Sequence, residues 1–595
     1  MKETNLSKIY QDRKQRFDQL VIKQKRTLQY ISLMRLAVII LAVWLLVLGV
    51  KHERPVLYIV SGLMLVLFFM LVIYHKNQSD RRKLLAELKL INHEELKSLE
   101  NDQSAFDDGA EFIDSDHPWS YDLDLFGEGS LYQSMNRTAT HTGPENLAEF
   151  LNEPVLDEQE IRQRQEVIRE LAGRINLRQN YAAHARLMKK VREEYEEVLN
   201  WSEQDTFIEK YQWTRIAAWI MTIISSTSII LGILNPGFFS ILIWVALINF
   251  TLLSPFVLRT SKFQSRISRK HRFLSTYAEL LGFLSDEEFE HASLRETAEQ
   301  CSNGSQSVDQ LSRLLNLFDH RLNFIVGITL NALFLFDFHM LHRLSAWNRK
   351  YHEDLKLWLA LAGRADALFS LANFTFNHSS YHIPEVRAES SAYHAKNIGH
   401  PLIPEEKRVD NSIEIRDEKV VLITGANMAG KSTFLRAVGV NMVLAYAGCP
   451  VCAEEFSTGT YRLYSSMRTA DSLKDEESYF FAEIKRLKKI VMAMEEGQKL
   501  LILLDEVLKG TNTTDKQKGS RGLIEKSVRH DVLCFIATHD LALGKMEDEH
   551  KGKVVNYCFE SYIKDLELTF DYSIRPGLAK NMNASFLMKK MGIMD

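Results

Sequence analysis

Apolar and polar positions divide this 595-residue chain into stretches of different character. Residues 31–50 and 56–74 are apolar runs long enough to cross a bilayer as helices, joined by the short polar link Lys51-His52-Glu53-Arg54-Pro55. A second pair, 213–234 and 238–258, repeats the pattern around Asn235-Pro236-Gly237. Soluble core helices of that length carry a polar stripe, so these pairs predict two membrane hairpins. In the second pair, Thr222, Ser225, Ser226, Thr227 and Ser228 dilute the apolar character. A further run, 322–341, is interrupted by Asn323, Asn331, Asp337 and His339, and it predicts a buried soluble helix. Towards the C-terminus the rhythm changes. Short apolar runs at 420–424, 500–504 and 532–538 read as buried strands, the pattern of a parallel α/β sheet.

Charge orients the hairpins. Lys23, Lys25 and Arg26 precede the first; Lys76, Arg81, Arg82 and Lys83 follow it. Arg259, Lys262, Arg266, Arg269, Lys270 and Arg272 follow the second. By the positive-inside rule both hairpins enter and leave from the cytoplasm, which predicts a multi-pass protein of the inner or cytoplasmic membrane. The first run starts far from Met1 without a small-residue cleavage site, so it reads as an anchor rather than a removed signal. Segments 1–30 and 76–119 then read as a basic cytoplasmic helix and a linker. The net charge of −4 excludes a globally basic nucleic-acid binder, so any such contact needs a local patch. Five cysteines do not suggest a disulfide scaffold. Cys449 and Cys452 form a lone C-x-x-C without a second pair, read as buried thiols at a helix-to-strand turn.

The chemistry sits at the ends of the three strands. Residues 420–433, VVLITGANMAGKST, place a Gly-x-x-x-x-Gly-Lys-Ser loop between strand and helix, where a phosphate cradle needs it. Gly425 and Gly430 permit the tight turn; Ala426, Asn427, Met428 and Ala429 supply the backbone between them; Thr433 lies in the opening helix. Lys431 is the candidate for the β- and γ-phosphates of ATP, and Ser432 for Mg²⁺. The strand ending in Asp505-Glu506 supplies the Mg²⁺-side acid, Asp505, and a water-activating carboxylate, Glu506. His539, after the third strand, is placed to sense the γ-phosphate. In open parallel sheets, ligands bind at these C-terminal strand ends.

From the loop outward the chain resembles the MutS family of DNA mismatch-repair ATPases. TGANMAGKST is close to that family's TGPNMGGKST, with Ala426 and Ala429 in place of its usual proline and glycine. His400-Pro401, Asn411, DEVLKGTNTTD, ATHD at 537–540 and the closing FDYSIRPGLAKNMNASFLMKKMGI each match family segments. Residues 122–154, with Leu125-Phe126, Met135-Asn136-Arg137-Thr138, Gly143 and Pro154, resemble the opening of its core domain. In place of a transporter's Leu-Ser-Gly-Gly-Gln, DEESYFFAE at 475–483 resembles the family's Ser-x-Phe-x-x-Glu segment. The resemblance implies an ABC-type P-loop α/β ATPase domain at 396–595, preceded by an all-α core and lever region at 120–395 and the transmembrane hairpins. It also implies that Ser478 approaches ATP bound by a second protomer, so that ATP closes a homodimer through the ATPase domains.

The departures bear on function. The family's mismatch-reading wedge, Phe-x-Glu near the amino-terminal end, has no counterpart in residues 1–116. Phe126-Gly127-Glu128 and Phe481-Ala482-Glu483 match its letters from structural positions. Residues 157–201 and 266–361 fit outgoing and returning lever helices, with the 213–258 hairpin where the family carries a DNA clamp. The basic run after that hairpin fits anionic lipid, DNA phosphates or a solvated helix face. Two functions therefore stay open: a membrane-anchored MutS-like ATPase that binds DNA, or a membrane-embedded mechanotransducer without DNA.

Overall fold

The computed structural model describes residues 3–188, 191–204, 207–468, 479–564 and 567–580. The chain opens with two unbroken antiparallel helices, α1 (Glu3–His52) and α2 (Pro55–Leu99). Glu53, at φ 50°, makes the turn, and Pro55 starts α2 with its φ already set. At 1.5 Å per residue, the 50 residues of α1 span about 75 Å, over twice a bilayer's apolar thickness. Toward the turn the pair presents Leu36, Ile40, Trp44, Ile59, Val66 and Phe69 to its surroundings. The other half is a stalk, so the separate basic helix and the linker expected at 76–119 are instead continuous with the spans as far as Leu99.

That stalk docks on a helical body. The body comprises α3 (Leu131–Met135), α4 (Gly143–Asn152), α5 (Glu158–Gly173), α6 (Ile175–Arg186), α7 (Val191–Ser202), α8 (Trp213–Leu234), α9 (Phe239–Leu253), α10 (Val257–Ile267), α11 (His271–Ser285), α12 (Ala292–Asp319), α13 (Phe324–Phe334) and α14 (Phe336–Asn377). Polar bonds fix the docking: Tyr10 donates to Asn377 (2.6 Å), Arg13 to Gln179 (2.8 Å), and Asn92 pairs with Gln179 (2.9 Å). At its centre Arg137 bonds the buried Glu95 carboxylate (Nε–Oε1 2.6 Å), which also accepts from Asn373 and Asn377 (3.0 and 3.1 Å). Burial pushes the Glu95 carboxyl up, but the adjacent guanidinium and these hydrogen bonds bring it below the ordinary carboxylate value. The spine is α14. It crosses α4 so closely that a Cβ on Gly363 would lie 1.9 Å from Thr142 Oγ1.

The stretches read as levers, 157–201 and 266–361, are helical and each is divided into several helices, the second ending in the long α14. The outgoing stretch breaks at Arg174 and after Arg186 into α5, α6 and α7. The returning stretch folds as the α11–α12 hairpin, laid on α14. Asp157 caps α5 through the Glu160 N–H (2.8 Å), so that helix starts where the sequence places it.

Among the described residues, four helices are long and apolar enough to cross a membrane: Leu6–His52, Pro55–Leu99, Trp213–Leu234 and Pro236–Ile267. The run 322–341 differs from the single buried helix expected. It is two helices, α13 and α14, bent by 88° at Leu335, which adopts φ 48°. Phe324 and Ile325 of α13 are 78% and 75% exposed. The hydroxyls that dilute the second hairpin explain the bend. Thr222 donates to the Phe334 carbonyl (3.2 Å), Ser225 to that of Leu333 and Asn249 to that of Ala332 (2.7 Å). These are the carbonyls that the end of a helix leaves unpaired, and α8 and α9 satisfy them. Asp337 accepts from Asn331 (3.0 Å) and Arg321 (2.8 Å), which closes the bend.

The C-terminal part is α/β. Its small sheet has the order β1 (Glu385–Arg387), β5 (Glu455–Gly459), β2 (Tyr393–Ile398), β3 (Asn411–Ile415). The main sheet has the order β10 (Glu567–Pro576), β9 (Val554–Lys564), β4 (Val420–Gly425), β8 (Val532–Thr538), β7 (Leu500–Asp505), β6 (Arg462–Ser466). All its pairs are parallel except β10 with β9. Strands β4 and β8 are buried along their whole length, as continuous apolar runs require when helices cover both faces. Those helices are α15 (Lys431–Tyr446), α16 (Tyr479–Glu495) and α17 (Thr513–Arg529).

Candidate nucleotide site

The three predicted strand ends converge. In register, Thr424 of β4 faces Thr538 of β8, and Asp505 of β7 faces Ala537. Gly425, Ala426, Asn427, Met428, Ala429, Gly430, Lys431, Ser432 and Thr433 therefore leave the sheet beside Asp505, Glu506 and His539. Gly425 and Gly430 take φ of 150° and 107°, and Met428 takes 68°. A Cβ on Gly425 would lie 2.6 Å from the Phe559 carbonyl, so glycine is required there. Ala426 and Ala429, the departures from the family loop, are buried, while Asn427, Met428 and Thr433 are exposed.

Lys431 is folded onto its own loop. Its Nζ donates to the carbonyls of Gly425 (2.8 Å) and Ala426 (2.9 Å), deep in the protein. Burial holds the ammonium below the ordinary lysine value, with Asp505 and Glu506 acting the other way. Ser432 Oγ donates to Asp505 Oδ2 at 2.5 Å, while Asp505 Oδ1 is buried with no hydrogen-bond partner. A hydroxyl and a carboxylate with an orphaned oxygen are donors of the kind Mg²⁺ takes. Glu506, at φ 54°, is held by its ion pair with His539 Nε2, and His539 Nδ1 lies 2.9 Å from the Gly425 carbonyl. The hydrogen bond from His539 brings the Glu506 carboxyl down to about 2. The histidine thus ties the acid to the phosphate loop.

Several further residues complete the site. Glu483 accepts from the Leu508 N–H at 2.5 Å and so braces the turn after Asp505-Glu506. Asp122, fully buried, accepts from Ser465, Met467 N–H and Arg468 N–H, fastening the core opening to the edge strand β6. A cavity of about 270 Å³ opens beside Gly430 and Thr433, bounded by His400, Arg408, Phe434 and Tyr572. Burial lowers the His400 imidazole to about 4. Tyr572 comes from β10, far along the chain, at φ 54°; nothing local in the sequence signals it. Ser478 lies outside the described residues. Cys449 and Cys452 are buried free thiols, and burial pushes Cys449 up to about 12.

A parallel sheet that gathers a glycine-rich loop, two acids and a histidine at one edge, at the end of a helical body, defines the class of this protein. Two parts of the chain match the MutS family. The family model for MutS domain V matches residues 421–590, and that for MutS domain III residues 96–201. The second match begins inside α2, earlier than the boundary expected at residue 120. The DNA mismatch repair protein MutS of Chloroflexus aurantiacus is 30% identical over 250 residues, which is 40% of this chain and 25% of that protein. The MutS of Haloquadratum walsbyi is 34% identical over 166 residues, 27% of this chain and 17% of its own length. The DNA mismatch repair protein MSH3 of Debaryomyces hansenii is 27% identical over 245 residues, 38% and 24% of the two chains. The chain thus spans about a quarter or less of the length of these relatives.

Proposed function

We propose that this protein is a membrane-anchored MutS-like ATPase that acts on DNA, in mismatch repair or related DNA processing. The observation that carries the ATPase reading is the strand-end constellation: Lys431 on its loop, Ser432 against Asp505, and Glu506 clamped by His539. The ABC-type P-loop assignment rests on the loop sequence and the β4–β8–β7 order. In this reading, the loop N–H groups and Lys431 bind the triphosphate, and the cavity beside Tyr572 takes the base. Ser432 and Asp505 would hold Mg²⁺, which supplies charge neutralisation on the phosphates when bound. Lys431 exchanges its two carbonyl partners for phosphate oxygens. His539 passes from Glu506 toward the γ-phosphate, and the freed Glu506 carboxylate accepts the proton of the attacking water. Ser478 of a second protomer completes the site, so that ATP binding closes a dimer and hydrolysis opens it.

Membrane anchoring is supported by the four long apolar helices and their basic flanks. In this reading the ATPase lies on the cytoplasmic side of an inner or cytoplasmic membrane. DNA binding is supported by the names of the relatives alone. Much of the basic run after α9 is engaged internally: Arg259 bonds Tyr211, Arg266 bonds Gln204 and Lys270 pairs with Glu197. The mechanotransducer reading is favoured by one feature, the half-length α13 bent back into α14. A co-flotation experiment separates the two. Full-length protein in liposomes should carry labelled duplex DNA upward, less so as salt rises. Liposomes that float with protein and leave every DNA behind would reject the DNA reading.

A further inference from the structure

We propose that the cavity between α10 and the start of α13 binds an anionic phospholipid by its headgroup; this rests on the membrane reading above. The cavity holds about 880 Å³, in the range of small-molecule sites. One end is polar, lined by Gln264, Arg269, Arg321 and Ser261, and the other is apolar, lined by Phe250, Leu253 and Ile328. Phe324 at its rim and the neighbouring Leu258 are largely exposed, so the apolar end opens where the hairpin meets lipid.

The polar end is built for an anion. Asp337 is committed, accepting from both Arg321 and Asn331. Arg321 also donates to Gln264 Oε1 at 2.6 Å, which fixes the orientation of that amide. Gln264 lines the cavity and is 4% exposed, and its Nε2 is buried with no hydrogen-bond partner. A buried amide donor with nothing to donate to is costly unless a ligand accepts from it. At the first turn of α13, Asn323 Oδ1 already accepts from the Val326 N–H (3.3 Å), and the helix adds the positive end of its dipole. Gly327 lets α13 pack against the Arg321 backbone, since a Cβ there would lie 2.5 Å from that carbonyl. Arg269 completes the donor set with a positive charge on the same wall. A phosphate diester joined to acyl chains satisfies both ends at once.

The test is native mass spectrometry of the full-length protein in neutral detergent, probed with phosphatidylglycerol, phosphatidylcholine and inorganic phosphate. Phosphatidylglycerol should be retained about tenfold better than phosphatidylcholine, which has the same phosphate but whose choline cation cancels the net charge that Arg269 attracts. Gln264→Glu keeps the acceptor for Arg321 and replaces the free donor with an oxygen. Arg269→Asn removes the charge and tolerates the positive φ of that residue (67°). Each should remove most of the preference while the protein floats normally with phosphatidylcholine liposomes. Equal retention of the two lipids, an unchanged preference in both variants, or displacement of the lipid by inorganic phosphate would each overturn the proposal. Protein that fails to float with any liposome would overturn the membrane reading with it; protein that floats without selectivity overturns the lipid site alone.

Discussion

Replacing Glu95 with glutamine tests how the α1–α2 stalk is fastened to the helical body. The carboxylate is buried, with its side chain 4% exposed, and Arg137 is 9% exposed. Arg137 also lies over the Phe106 ring, 3.5 Å from its centroid, so it has no route to water when its partner is lost. Glutamine keeps one acceptor but turns an N–H₂ toward donors: the guanidinium or the amides of Asn373 and Asn377. Breaking a buried pair by removing one partner costs about 3–5 kcal/mol, because the remaining charge stays buried. For the stalk and body together, residues 3–377, that predicts a fall in the melting temperature of roughly 5 °C, read by intrinsic fluorescence in detergent. The double variant Glu95→Leu with Arg137→Met removes both charges and should recover much of the loss. Acid gives the same answer by another route. The folded carboxyl lies below its ordinary value, so its contribution is full above that value and is lost as pH falls through the depressed one. A single variant that melts within about 2 °C of the parent, or a double variant no better than the single, refutes the reasoning.

Other perturbations reach different parts of the molecule. Glu506→Gln should leave ATP binding intact and slow hydrolysis by about 10²–10⁴-fold, measured as phosphate release against nucleotide binding. The hydrogen bond from His539 holds the Glu506 carboxyl down to about 2, so its charge is complete above ordinary carboxylate pKa values and is lost only as pH falls toward 2; Glu506 itself should impose no titration on activity near neutrality. Thr222→Val with Ser225→Ala should loosen α13 by about 1 kcal/mol per hydrogen bond, seen as faster amide exchange in 324–334 with no change in the ATPase domain. Gly363→Ala forces a methyl against Thr142 and should destabilise the α14–α4 crossing by about 1–3 kcal/mol, by thermal melting.

Much of the site was legible because its signals are local. Gly425, Gly430, Lys431 and Ser432 sit within one strand–loop–helix unit, and Asp505, Glu506 and His539 follow directly on apolar strands. Tyr572 was not legible as a site residue, since it lines a cavity formed by distant segments; Glu483 was visible as the end of the Ser-x-Phe-x-x-Glu segment, but not its bond to the turn at Leu508. The long apolar helices were legible for the same local reason. The error at 322–341 is instructive. Asn331 and Asp337 read as interruptions of an apolar helix, whereas they close a bend whose partners, Thr222, Ser225 and Asn249, lie about 80 to 110 positions away. The stalk was hidden in a similar way. Helical propensity continues through residues 76–99, but only the docking partners Gln179, Asn373 and Asn377 show that the segment is fixed rather than a tether.

The central claim is that ATP turnover at this strand edge is coupled to DNA by a protein held in a membrane. The direct measurement is ATP hydrolysis by full-length protein in liposomes, with and without duplex, mismatched and branched DNA, beside Glu506→Gln. The account predicts turnover that rises with DNA and disappears in the variant. Turnover that ignores every DNA and changes only with lipid composition would contradict it.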